Sequence, residues 1–88
     1  MTYAERMREK LRAAFAPTEL EIVDESEQHK GHGGYREGGE THFRVRIAAP
    51  AFDGMSRVER SRAVHRVVAA ELEERVHALA LEIRGSEA

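Results

Sequence analysis

Residues 41–48 read Thr-His-Phe-Arg-Val-Arg-Ile-Ala, and this alternation constrains the chain more than any other feature. Successive side chains of an extended strand point to opposite sides, so Phe43, Val45 and Ile47 share one face while His42, Arg44 and Arg46 share the other. Such a strand is half-buried, one face needing an apolar cover and the other meeting water. Two stretches can supply the cover. Thr2 and Glu5 have the spacing of a capping box, and Tyr3, Met7, Leu11, Ala14 and Phe15 then recur at helical spacing, which predicts an amphipathic helix over 2–15. Ser56 and Glu59 repeat the box, and Val58, Val64, Val67, Val68 and Leu72 form the stripe of a second helix ending near Glu74.

Pro17 cannot continue the first helix, and Glu19 to Glu25 carries Leu20, Ile22 and Val23 in a short strand. Val76 to Ile83 alternates again, which predicts a third strand with His77, Leu79, Leu81 and Ile83 on one face. Phe52, between Pro50 and Gly54, is expected to plug the core. Residues 26–40 hold five glycines and two histidines, with Tyr35 their only apolar side chain, and are expected to form a flexible loop. Residues 85–88 are expected to be a disordered tail.

The order helix, strand, strand, helix, strand defines an α+β fold in a single small domain over 1–88. Sequential strands pair antiparallel most readily, whereas a strand, helix, strand crossover returns parallel, so a three-stranded mixed sheet with both helices on one face is expected. If the third strand lies beside the second, their starting ends meet. That brings His77 close to His42 and to the glycine-rich loop.

Composition bounds the chemistry. With 41% hydrophobic and 34% charged residues in 88, folding buries roughly 64% of the unfolded surface, enough for one modest core. There is no cysteine, which excludes disulfides, thiol nucleophiles and any thiolate metal site built by this chain alone. No apolar run approaches the ~20 residues of a membrane span, and the start of the chain lacks a secretory hydrophobic stretch, so a cytoplasmic address and no membrane partner are expected. Neither a nucleophile with base and orienting acid nor a phosphate-binding glycine motif can be assembled, so an enzyme is not expected.

The net charge of −2 offers no whole-molecule attraction to nucleic acid. Arg57, Arg60, Arg62 and Arg66 nevertheless give the second helix a basic surface, which reads first as a solvated face among Glu59, Glu71, Glu73 and Glu74 and second as a phosphate-binding one. Among the five histidines, His29 and His32 belong either to a solvated polar loop or to a site that reaches an external ion. His77 is either a satisfied histidine at the core edge or a metal ligand. His42 suits an auxiliary or proton-sharing role, and His65 a structural or exposed one. His29, His32, His42 and His77 together could also hold zinc or another divalent ion.

Several blocks of the sequence resemble the BolA family, and the resemblance covers nearly the whole chain. They are Asp24-Glu25-Ser26 leading to His29-Lys30-Gly31-His32-Gly33, then Thr41-His42-Phe43-Arg44-Val45, then Phe52-Asp53-Gly54-Met55-Ser56 with Arg60 and Arg62, and finally Val76-His77-Ala78-Leu79. Ser61 and His65 depart from the family pattern. The resemblance implies a fold similar to the type II KH domain and partnership with a monothiol glutaredoxin. It further implies a shared [2Fe-2S] cluster whose thiolates come from the glutaredoxin cysteine and glutathione. His77 matches one family ligand, and the second lies in the loop at His32, favoured over His29.

The chemistry of the donors agrees. Two histidines can replace two cysteines at a [2Fe-2S] centre, as in Rieske proteins, and a chain without thiols needs a partner to complete the shell. No cofactor is expected when the chain is isolated alone. The expected function is therefore a non-enzymatic adaptor in iron-sulfur cluster trafficking or iron sensing. The alternative that the resemblance carries is a DNA-binding transcriptional regulator of cell morphology and stress response, although the KH Gly-x-x-Gly loop is missing from its place between helix and strand. A weak homodimer is also expected.

Overall fold

The computed structural model describes residues 1–26 and 39–86. The first helix, α1 (Tyr3–Phe15), starts where the capping box places it: the Thr2 side chain accepts from the Glu5 N–H, and the Glu5 carboxylate accepts from the Thr2 N–H. It ends as Ala16 turns into the left-handed conformation at φ 45°, with Pro17 directly behind. The strands are β1 (Glu19–Asp24), β2 (His42–Ala48) and β3 (Ala78–Arg84). They form one mixed sheet in the order β1-β2-β3, β1 antiparallel to β2 and β3 parallel to it.

Alternation in β2 sorts its side chains as its sequence requires. Phe43, Val45 and Ile47 are buried against Met7 and Leu11 of α1, Phe52, Val64, Val68 and Val76. Both helical segments therefore cover one face of the sheet. The other face carries Glu21, Arg46 and Glu82 side by side, with Arg46 bridging to both carboxylates. Phe52 closes a single 3₁₀ turn, Pro50–Phe52, and is fully buried, its ring 4.6 Å from that of Phe15.

The second helix departs from its expected course. It is two helices, α2 (Arg57–Val67) and α3 (Ala69–Glu74), broken at Val68, whose φ of −105° and ψ of 22° are not helical. Val68 is buried in the core, so its packing is kept while the helix axis is interrupted. Val58 is 57% exposed, and burial on α2 begins at Ala63 and Val64; a helical stripe is covered only where it overlies the sheet. The break also directs Glu71 of α3 inward, where it is fully buried against Arg6 and Lys10 of α1.

The third strand also begins later than expected. Val76 is buried and its N–H completes α3 by bonding to the Glu71 carbonyl, so alternation starts only at Ala78. At the far end Gly85 is buried and the Ser86 N–H donates to Asp53; residues 87 and 88 lie outside the described residues. Among the described residues no helix is long and apolar enough to cross a membrane.

Candidate functional site

Parallel pairing of β2 and β3 sets His42 opposite Ala78, so the residues that precede both strands meet at one end of the sheet. The Thr41 carbonyl accepts from the N–H groups of His77, at 2.6 Å, and Ala78, at 3.2 Å. The imidazoles of His42 and His77 consequently lie with their centroids 6.3 Å apart and their planes 19° from parallel. The two rings differ in environment. His77 does not face the core with Leu79, as strict alternation predicts, but is exposed, because it sits ahead of the strand rather than in it. His42 does not face water as predicted but is only 8% exposed.

Beneath the His42 ring lies a polar cluster that joins the two strands. Ser26 Oγ donates to Asp24 Oδ1 and accepts from the N–H groups of Thr41, at 2.8 Å, and His42, at 3.2 Å. Asp24 Oδ1 also accepts from the Ser26 N–H, and Oδ2 from the Glu40 N–H. The Thr41 hydroxyl lies 3.2 Å from Ser26 Oγ and 2.9 Å from His42 Nδ1. Burial opposes ionisation of Asp24, but the hydrogen bonds from Ser26 and Glu40, helped by the charge of Arg75, hold its carboxyl below the usual carboxylate range.

Residues 39 and 40 complete the frame. Gly39 has φ 72°, and a Cβ there would stand 3.2 Å from Asp24 Oδ2, so glycine fits this position on both conformation and space. The Gly39 carbonyl accepts two bonds from the Arg75 guanidinium. Glu40 reaches across to α1, its Oε1 accepting from the Tyr3 N–H at 2.7 Å, which adds an anion to the helix start. Glu40, Thr41 and Arg75 thus connect α1, the sheet end and the segment before His77. Periodicity does not reveal this cluster. The available sequence signal was Asp24-x-Ser26, in which an Asp side chain caps the backbone two residues on.

His29 and His32, the expected loop ligands, lie outside the described residues. Among the described residues no three of the metal-binding side-chain types come together. His65 is exposed on α2, its Nδ1 2.8 Å from the Ser61 carbonyl. Of the arginine series, Arg57 and Arg60 line a groove of about 750 Å³ between α2 and β3, joined by Arg46, Arg84, Ser61, Leu81 and Ile83 as well as Glu19 and Glu82. Arg62 and Arg66 are exposed on α2 and do not line it. Arg84 is ion-paired with Glu19 and Arg46 with Glu82, so part of the groove's positive charge is already balanced.

Residues 11–87 match the model of the family described as BolA-like protein. An uncharacterised protein from Sinorhizobium is 48% identical over 83 residues, covering 93% of this chain and 89% of that protein. The DNA-binding transcriptional regulator BolA of Escherichia coli is 44% identical over 81 residues, covering 92% of this chain and 73% of that one. Among solved structures, the BolA domain of SufE1 from Arabidopsis thaliana superposes with a TM-score of 0.87 at 40% identity, over 98% of this chain and 94% of that one. Some relatives are longer: this chain spans 50% of one Arabidopsis protein and 22% of another.

Proposed function

The chain belongs to the BolA family, and on that premise we propose that it is an adaptor that co-ligates a [2Fe-2S] cluster with a monothiol glutaredoxin and glutathione. His77 supplies one ligand and a loop histidine, His32 in preference to His29, the other. The observation that supports this reading is the exposed His77 ring, held beside His42 at the end of the sheet from which the glycine-rich segment departs, in a chain of 88 residues with no cysteine. Imidazole donors fit half of a Rieske-like shell, and the thiolates must then come from another molecule. Bound in this way, the cluster would supply a redox-active centre; this chain's part is to offer imidazole nitrogens as ligands, which bind metal in their neutral form.

The backbone bond from His77 to Thr41 fixes where the ring leaves the fold, and the bonds from Arg75 to Gly39 tie the same segment to the loop's end. Reconstitution with a monothiol glutaredoxin and glutathione tests the reading. The visible circular dichroism of the mixed cluster is expected to change on His77→Ala and on His32→Ala. Identical spectra for the wild type and His77→Ala overturn it.

A second reading, DNA binding, is favoured by the name of the Escherichia coli relative together with the arginine-lined groove. It predicts duplex binding that weakens steeply with salt and loses part of that slope in Arg57→Ala. Absence of binding at low salt removes it.

A further inference from the structure

The sheet has two outer strands, and they differ in how they are protected. An unpaired strand edge offers a row of amide and carbonyl groups to any extended chain, and proteins usually guard it with charge, proline or a cover. The β1 edge is guarded: Pro17 stands just ahead of it, and three of its six residues, Glu19, Glu21 and Asp24, are acidic. β3 runs for seven residues without proline or glycine, and its first four, Ala78-Leu79-Ala80-Leu81, carry no charge. Among the described residues it pairs with β2 alone. The groove beside it takes in four consecutive residues of β3, Leu81 to Arg84, and therefore borders both faces of the sheet. On the helix-covered face lie Leu81 and Ile83, packed against the core, with Arg57 and Ser61 of α2. On the opposite face lie Glu82, paired with Arg46, and Arg84.

Space that borders both faces of an outer strand is where the next strand of the sheet would lie. We propose that the β3 edge takes up an extended segment of a partner protein as a fourth strand, with apolar side chains against Leu81 and Ile83 and a carboxylate toward Arg57. Charge selects this occupant. Arg46 and Arg84 are answered by Glu82 and Glu19 within the groove, and Arg60 donates to the Phe52 carbonyl. Arg57 is exposed and makes no ion pair or hydrogen bond among the described residues, so it adds an uncompensated cation to the same groove. It also opens α2, where the helix dipole is positive and disfavours a cation that has no partner. A second β3 edge carries the same surplus cation, and a nucleic-acid backbone cannot continue a ladder of main-chain hydrogen bonds. The groove lies toward the end of β3 remote from Ala78 and His42, so this surface is separate from the histidine rim.

The probe is a capped peptide, Thr-Val-Thr-Val-Thr-Glu-Thr, whose Val and Glu side chains share one face when it is extended. Hydrogen exchange of the full-length ¹⁵N-labelled protein reads the added strand directly. Amide protons within 78–84 that exchange freely without peptide are expected to become protected with it, while those of β1 keep their rates. Fluorescence anisotropy of the labelled peptide gives the affinity. It is expected to fall about fivefold in Arg57→Glu, the size of one exposed ion pair, and binding is expected to be lost when the central Val-Thr of the probe becomes Pro-Pro, which cannot donate to the ladder. Arg57→Glu places an acid at an exposed helix start, where the dipole favours it, so the variant keeps the fold. No added protection of β3 at millimolar peptide, unchanged affinity in Arg57→Glu, or equal affinity for the Pro-Pro probe overturns the proposal. So does protection of β3 that rises with protein concentration alone, which marks a second copy as the occupant, or a DNA duplex that shifts these amides where the peptide does not.

Discussion

The carboxylate of Asp24 accepts hydrogen bonds from the Ser26 N–H and O–H and from the Glu40 N–H, and so ties the end of β1 to the residues that lead into β2. Its pKa is lowered in the fold. The stabilisation it provides is therefore complete above the unfolded-chain value of about 3.9 and disappears as pH falls through the lower folded value. Asp24→Asn is accordingly expected to be less stable than the wild type near neutrality, with the difference shrinking below about pH 4; acid unfolding of both proteins followed by circular dichroism checks this. Much at this scale was readable in the sequence, but not all. Proximity of His42 and His77 follows from strand order, whereas their exposures came out reversed. Alternation cannot tell that a strand starts one residue after His77, nor that the polar ring of His42 is buried at the end of β2.

Helix starts were the most legible elements, because a capping box is a local device: Thr2 with Glu5 and Ser56 with Glu59 both form it as their spacing predicts. The break at Val68 was not legible. Apolar positions stay in step on both sides of it, and the sequence holds no proline or glycine there to announce it. Its consequence is the inward turn of Glu71, whose Oε2 accepts from Arg6 and from Lys10, at 2.7 Å, while Oε1 has no hydrogen-bond partner among the described residues. Removing the buried carboxylate takes the Glu71 partner from Lys10 and leaves Arg6 with Glu74 alone. Glu71→Ala, which empties a fully buried side chain, is expected to cost about 1–3 kcal/mol, whereas Glu74→Ala, which breaks the more exposed pair with Arg6, is expected to change stability little. Chemical denaturation of the two variants measures the contrast.

Across the whole molecule, the mixed sheet is what makes one end different from the other. An antiparallel first pair puts the connection between β1 and β2 at the start of β2, and a parallel third strand brings its own start to that same end. Histidines distant in sequence therefore converge without any local motif, and the sequence supports that convergence only through topology. The loop histidines proposed as further donors lie in the glycine-rich stretch, where neither periodicity nor spacing orders one above the other, which is why His32 and His29 could be ranked only by resemblance. Convergence at this rim is the central claim, and it is tested most directly by the visible circular dichroism of the cluster reconstituted with a monothiol glutaredoxin and glutathione. His77→Ala is expected to lose the wild-type spectrum while His65→Ala, altered on the exposed side of α2, keeps it. A His77→Ala complex with the wild-type spectrum would show that the imidazole at the sheet end takes no part in holding the cluster.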